Sequence, residues 1–182
     1  MILPARLSVI RRVGEYAWLI SARTASKALD PWLVCGVVCQ ESAGNPGALR
    51  VERGFWTRYK DGIIRNIKAT ASKLDDPWLA YPDLVAASWG LMQCMYEVAI
   101  ERGMELQYPA ELADPAVGLE AGCRQLAYCF TAIGAYALDD RANEDAVRNA
   151  LQRYNGGGDP NYAMRVREWR ADALAAQLFR FP

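Results

Sequence analysis

Apolar residues recur along this chain at steps of three and four, the period of a helix that buries one face. Leu7, Ile10, Val13, Ala17 and Ile20 share such a face and predict a first helix over about Arg6–Lys27. A second starts at Asp30-Pro31, carries Leu33, Val34, Val37 and Val38, and ends near Gly44, ahead of Pro46. Ile63, Ile64, Ile67 and Ala71 predict another within Arg50–Leu74, and a short one follows at Glu97–Arg102. A long helix runs from Asp114-Pro115 through Leu119, Leu126, Phe130 and Ile133. Asn143 is positioned to cap a helix ending at Tyr154, where Gly156-Gly157-Gly158 stops it, and Asp159-Pro160 opens the last, with Tyr162, Val166 and Trp169 in register. Asp-Pro occurs four times, and Asp before Pro is a helix-start signal: the carboxylate caps the first free N–H groups and Pro loses nothing at the first helical position. The stretch Trp89–Met95 is interrupted by glycine and fits turn, strand or helix; no hairpin signal stands out. The expected fold is mainly α, a single domain over residues 1–182 with at most a very small β element.

Composition narrows the chemistry. The 182 residues are 52% hydrophobic, with 21 Lys+Arg against 21 Asp+Glu and no histidine. A chain of this length should bury about 70% of its unfolded surface without metal or disulfide support. The absence of histidine excludes Ser-His-Asp and Cys-His catalysis and imidazole metal sites. Zero net charge argues against nucleic acid as partner. Five cysteines without a C-x-x-C pair read as structural thiols rather than metal or redox groups. No metal or organic cofactor is implied. The longest apolar run falls far short of the ~18 residues of a membrane span, so no membrane insertion is expected. Charge is unevenly spread: residues 50–68 carry six cations against two acids, and residues 74–120 nine acids against Arg102. Solvated helix faces explain this most simply; a cleft wall meeting a polymeric ligand is the sharper alternative.

One carboxylate is out of place. Glu41 follows Val37 by four and Val38 by three, so it projects from the face those residues bury, at the end of the most apolar helix. Desolvation and the negative end of the helix dipole both push such a carboxyl toward a raised pKa, as a general acid for glycosidic cleavage requires. Ser88-Trp89-Gly90-Leu91-Met92-Gln93 offers an amide beside a glycine that permits close backbone approach. Gln152-Arg153-Tyr154-Asn155-Gly156-Gly157-Gly158 offers a phenol and an amide at a helix break. Acid, amides and flat aromatic faces suit a saccharide pocket.

In this order, Gln40-Glu41-Ser42-Ala43-Gly44-Asn45-Pro46, Gly90-Leu91-Met92-Gln93 and Tyr154-Asn155-Gly156-Gly157, followed by Tyr162 with Val166, resemble the soluble lytic transglycosylase catalytic domain of the lysozyme-like superfamily, related to goose-type lysozyme. The resemblance covers about residues 30–170. It implies Glu41 as the single acid and base, Ser42 as a hydroxyl binding the substrate, and Met92 (through its backbone) and Gln93 lining the pocket. Tyr154 would sit close to Glu41, with Asn155 shaping that wall and Tyr162 supporting the site from the last helix. The implied partner is the peptidoglycan glycan strand. Where family members often carry Pro after the second motif, this chain has Cys94-Met95-Tyr96-Glu97.

Three alternatives stay open. A second carboxylate between Ala43 and Trp89, with Glu52 the first candidate, would make the enzyme a water-adding muramidase. A glycan-binding or tail-structural module would need no buried acid. A helical interaction domain with coincidental motifs would not respond to loss of Glu41. No secretory signal is read in the N-terminal residues, so the expected setting is a product made in the cytoplasm that acts on the cell wall as a bacteriophage lysin, with a bacterial enzyme exported by a specialised secretion route as the alternative. The lysin would be released or virion-associated, with other tail proteins as candidate partners.

Overall fold

The computed structural model describes residues 2–71, 77–133 and 144–181. Among them the chain forms helices and a small sheet: α1 Pro4–Gly14, α2 Ala17–Ala25, α3 Pro31–Ser42, β1 Leu49–Val51, α4 Arg53–Ala71, α5 Pro82–Val85, β2 Ala87–Trp89, β3 Cys94–Met95, α6 Tyr96–Glu101, α7 Pro115–Thr131, α8 Glu144–Tyr154 and α9 Tyr162–Ala176. Short 3-10 turns occupy Pro77–Ala80 and Pro109–Ala113. The fold is mainly α with a very small sheet, as expected. The described residues group into two compact units, one built from the residues up to Asn45 together with those from Cys123 onward, the other from Pro46–Gly122.

In the first unit, α3 is buried along nearly its whole length, from Leu33 through Cys39, and packs against α9. Asp30 caps it, accepting from the Trp32 N–H at 3.0 Å. At its other end Ala43 turns left-handed (φ 52°), and Arg12 donates to the Ala43 carbonyl at 3.1 Å. Ile10, Val13, Ile20, Leu151 and Val166 complete the surrounding core.

In the second unit, an antiparallel sheet of order β1-β2-β3 pairs Arg50 with Ser88 and Trp89 with Cys94. Ile63 and Ile67 of α4 join Val85, Tyr96, Ile100 and Leu112 in its core. Gly90 opens the β2–β3 turn at φ +71°, and a Cβ there would lie 2.1 Å from the Leu112 carbonyl oxygen, so the close approach foreseen from the sequence is real.

Three expectations are corrected, and one left open is settled. The helix expected over Arg6–Lys27 is two, broken around Glu15 and Tyr16. The Phe179 ring lies where a Cβ on Gly14 would stand (2.5 Å), a contact with a residue distant in sequence that periodicity cannot reveal. The segment expected as a helix from Arg50 begins instead as β1, and the helix starts at Arg53. Trp89–Met95 resolves into a hairpin, whose strands escaped notice because Ala87, Ser88 and Cys94 are all buried and show no polar–apolar alternation. The last helix opens at Tyr162: Asp159 caps a turn instead, accepting from the Asn161 N–H at 3.0 Å and pairing with Arg165. Asp114 acts as expected, accepting from Ala116 and Val117 at 2.8 and 3.1 Å. Asp75, Asp76, Asn143 and the end expected for the Arg50–Leu74 helix fall outside the described residues.

The acidic excess in residues 74–120 proves partly structural. Glu111 accepts from the Tyr108 N–H at 2.9 Å, Asp114 caps α7, and Glu97 is only 7% exposed. All five cysteines are buried, and none is in a disulfide. A hydrogen bond with Cys39, followed by burial, drives the Cys35 thiol well above its ordinary pKa. Burial pushes Cys94 up to about 12, against the opposing charge of Arg102. Because the thiolate is the reactive form, native protein at pH 8 should resist an aromatic disulfide reagent and release its five thiol equivalents only on unfolding. Rapid labelling of the native protein would contradict this.

Candidate active site

The site is built on two antiparallel helices. Gly36 lies at their closest approach: a Cβ there would come 2.6 Å from the Val166 carbonyl oxygen and 3.3 Å from the Arg170 nitrogen, backbone atoms that cannot swing aside. Toward one end of the pair, Arg170 Nε donates to Asp30 Oδ2 at 2.8 Å. Toward the other, the Tyr162 hydroxyl donates to Glu41 Oε1 at 2.6 Å. The three contacts match residue with residue as antiparallel packing demands, rising along α3 while falling along α9.

Tyr162 is 2% exposed and Glu41 half-buried, so the phenol approaches the carboxyl from the protein interior. A hydroxyl donating to a carboxylate fixes its orientation. The resulting group can both release and accept a proton while held in one place. Gly36→Ala should force α3 and α9 apart, costing about 1–3 kcal/mol of stability as overpacking does and loosening the Glu41–Tyr162 pair. Calorimetry should show a melting point several degrees lower, with activity falling further than stability accounts for; an unchanged melting point would show that the helices adjust freely.

The other expected residues are placed as follows. The Ser42 hydroxyl donates to the Val38 carbonyl and accepts from the Gly44 N–H, both at 3.2 Å, so it helps to finish α3. Tyr154 stands half-buried at the last turn of α8, followed by Asn155, whose N–H donates to Leu151. Gln152 Nε2 closes the following loop on the Pro160 carbonyl at 2.9 Å. In the second unit, Gln93 adopts φ +49°, and its Nε2 donates to the carbonyls of Ala48 (3.1 Å) and Gly90 (3.0 Å). That amide nitrogen braces the turn, and only the side-chain oxygen keeps the role of acceptor. Met92 is fully buried, packed where a Cβ on Gly122 would stand. Glu52 lies just after β1 and pairs with exposed Arg50.

The Arg12 contact to Ala43 and the closing contact of Gln152 escaped the sequence reading. Both join a side chain to a backbone carbonyl, which no residue pattern announces. Arg12 had one available signal, a cation on a helix that would have to pass near the end of α3.

A half-buried acid held by a buried phenol can exchange a proton with a group that reaches it. The model of the transglycosylase SLT domain matches residues 19–174, and the chain belongs to that family. No curated protein and no solved structure matches it significantly. Membership assigns the protein a transglycosylase-type action on the peptidoglycan of the cell wall. Among the described residues no helix is long and apolar enough to cross a membrane.

Proposed function

We propose that this protein is a lytic transglycosylase that cleaves the β-1,4 bond between N-acetylmuramic acid and N-acetylglucosamine, with Glu41 as both acid and base. The observation that carries the reading is the 2.6 Å bond from buried Tyr162 to Glu41, at the end of an apolar helix. With Tyr162 engaging Oε1, the mobile proton is carried on Oε2. Glu41 gives it to the bridging oxygen as the bond from the muramic anomeric carbon breaks. The substrate's acetamido oxygen then closes on that carbon and takes up its positive charge. Glu41, now a carboxylate, removes the proton of the same sugar's 6-hydroxyl, whose oxygen displaces the acetamido oxygen to leave a 1,6-anhydro end. Proton and bond counts balance without water.

In the first unit Ser42, Tyr154, Asn155 and Tyr162 are the proposed substrate-facing or supporting groups; in the second, Met92 (through its backbone) and Gln93 are proposed to bind substrate. No described geometry favours Glu52 as a second acid: its exposed ion pair with Arg50 is of the kind worth little. Mass spectrometry of fragments released from purified peptidoglycan tests the reading. Anhydro-muramic ends, one water lighter than hydrolysis products, are expected; full-mass reducing ends would establish a muramidase instead. The setting we propose, following the sequence reading, is a phage lysin. Proteomics of purified virions tests the virion-borne form, and absence there would exclude it.

A further inference from the structure

The helix that carries Glu41 ends on a turn that its own residues do not favour. Ala43 is left-handed at φ 52° without being glycine, Gly44 follows at φ +75°, and Glu41 stands only two residues before Ala43. Helix ends open first, and an acid in the last turn is held in place only while that turn stays closed. What holds it closed comes from α1. Arg12 Nη1 donates to the Ala43 carbonyl at 3.1 Å, a cation set where the helix dipole is negative. The Arg12 stem and Val13 lie directly over Gly44: a Cβ there would stand 3.0 Å from Val13 Cγ2, 3.2 Å from the Val13 nitrogen and 3.3 Å from Arg12 Cγ.

The same helix is tied to the other half of the site. Arg6 pairs with Asp172, and its guanidinium carbon lies 3.6 Å from the centre of the Trp169 ring, both residues of α9. Between these two anchors Ile10 and Val13 are fully buried. Packing alone needs only those two side chains; Arg12 is exposed, so burial does not account for its contact. α1 thus braces both helices of the site, although it ends before residue 19, where the family match begins. We propose that Arg12 is a positioning residue for Glu41: it clamps the end of α3 and keeps the carboxyl where the Tyr162 hydroxyl meets it. The inference rests on the proposed role of Glu41 but concerns what holds the acid, not the chemistry it performs.

Three variants of the full chain test it. Arg12→Met keeps the stem over Gly44 and removes the donor, Arg12→Lys keeps a donor, and Arg11→Met removes a charge from the neighbouring exposed position. With soluble glycan strands as substrate, kcat of Arg12→Met should fall roughly tenfold while KM holds. The Ala43 N–H, which donates to the Cys39 carbonyl, should exchange with solvent roughly tenfold faster, while α9 keeps its rates. Arg12→Lys should recover most of both effects, and Arg11→Met should match the parent. A parental kcat in Arg12→Met would overturn the inference and leave the proposed reaction standing. A raised KM at unchanged kcat would make Arg12 a substrate-binding group and overturn it too, as would an equal loss in Arg11→Met, which would reduce the effect to net charge. If the parent releases no fragments while exchange at Ala43 still quickens in Arg12→Met, the clamp stands and the proposed reaction falls.

Discussion

Glu41→Gln should leave a folded protein that releases no soluble fragments from peptidoglycan. The amide matches the carboxyl in size, and its oxygen can still accept from the Tyr162 hydroxyl, so the α3–α9 pairing survives. It has no acidic proton to give and cannot take one from the 6-hydroxyl. General acid–base groups contribute about 10²–10⁴-fold in rate, and in the proposed reaction one residue serves both half-steps, so the loss should reach at least the upper part of that range. The melting temperature should stay level or rise, because the amide removes a partly desolvated charge. Turnover and thermal unfolding measured on the same preparation decide the matter. A variant that digests peptidoglycan at the parental rate would remove Glu41 from the mechanism.

Tyr162→Phe is expected to have the next largest effect, and a different signature. It keeps the buried ring beside α3 but deletes the donor to Glu41. Hydrogen bonds to charged groups contribute about 1.5–3 kcal/mol, so kcat should fall roughly ten- to a hundredfold, with KM little changed. A kcat at the parental level, with the ring retained, would mean that Tyr162 only supports packing.

The sequence reading reached local features well and distant pairings poorly. Asp30 and Asp114 were legible as helix caps because cap and capped N–H groups lie within three residues of each other. Glu41 was legible as an anomaly, a charge on a face otherwise filled by valines. Its bond to Tyr162 joins positions 121 apart, and only a family resemblance had put the two in one site. The contact of Gly14 with Phe179, from the far end of the chain, was equally out of reach. The hairpin was hidden by its own burial, since strands covered on both faces lose the two-residue period. Tyr154 was readable at the end of α8 because three glycines follow it two residues on.

The close contact at Gly36 has a consequence for which changes of length the chain can tolerate. A helix turns about 100° per residue, so one residue inserted between Tyr162 and Val166 would carry the phenol a quarter-turn away from Glu41 while the Gly36 contact stayed put. The same holds between Gly36 and Glu41. Added Cβ atoms at Gly156, Gly157 and Gly158, by contrast, would meet nothing within 4 Å. Insertions and deletions compatible with a working acid should therefore gather in that glycine loop and spare both helical intervals, so the two stretches form a ruler whose marks cannot be shifted singly.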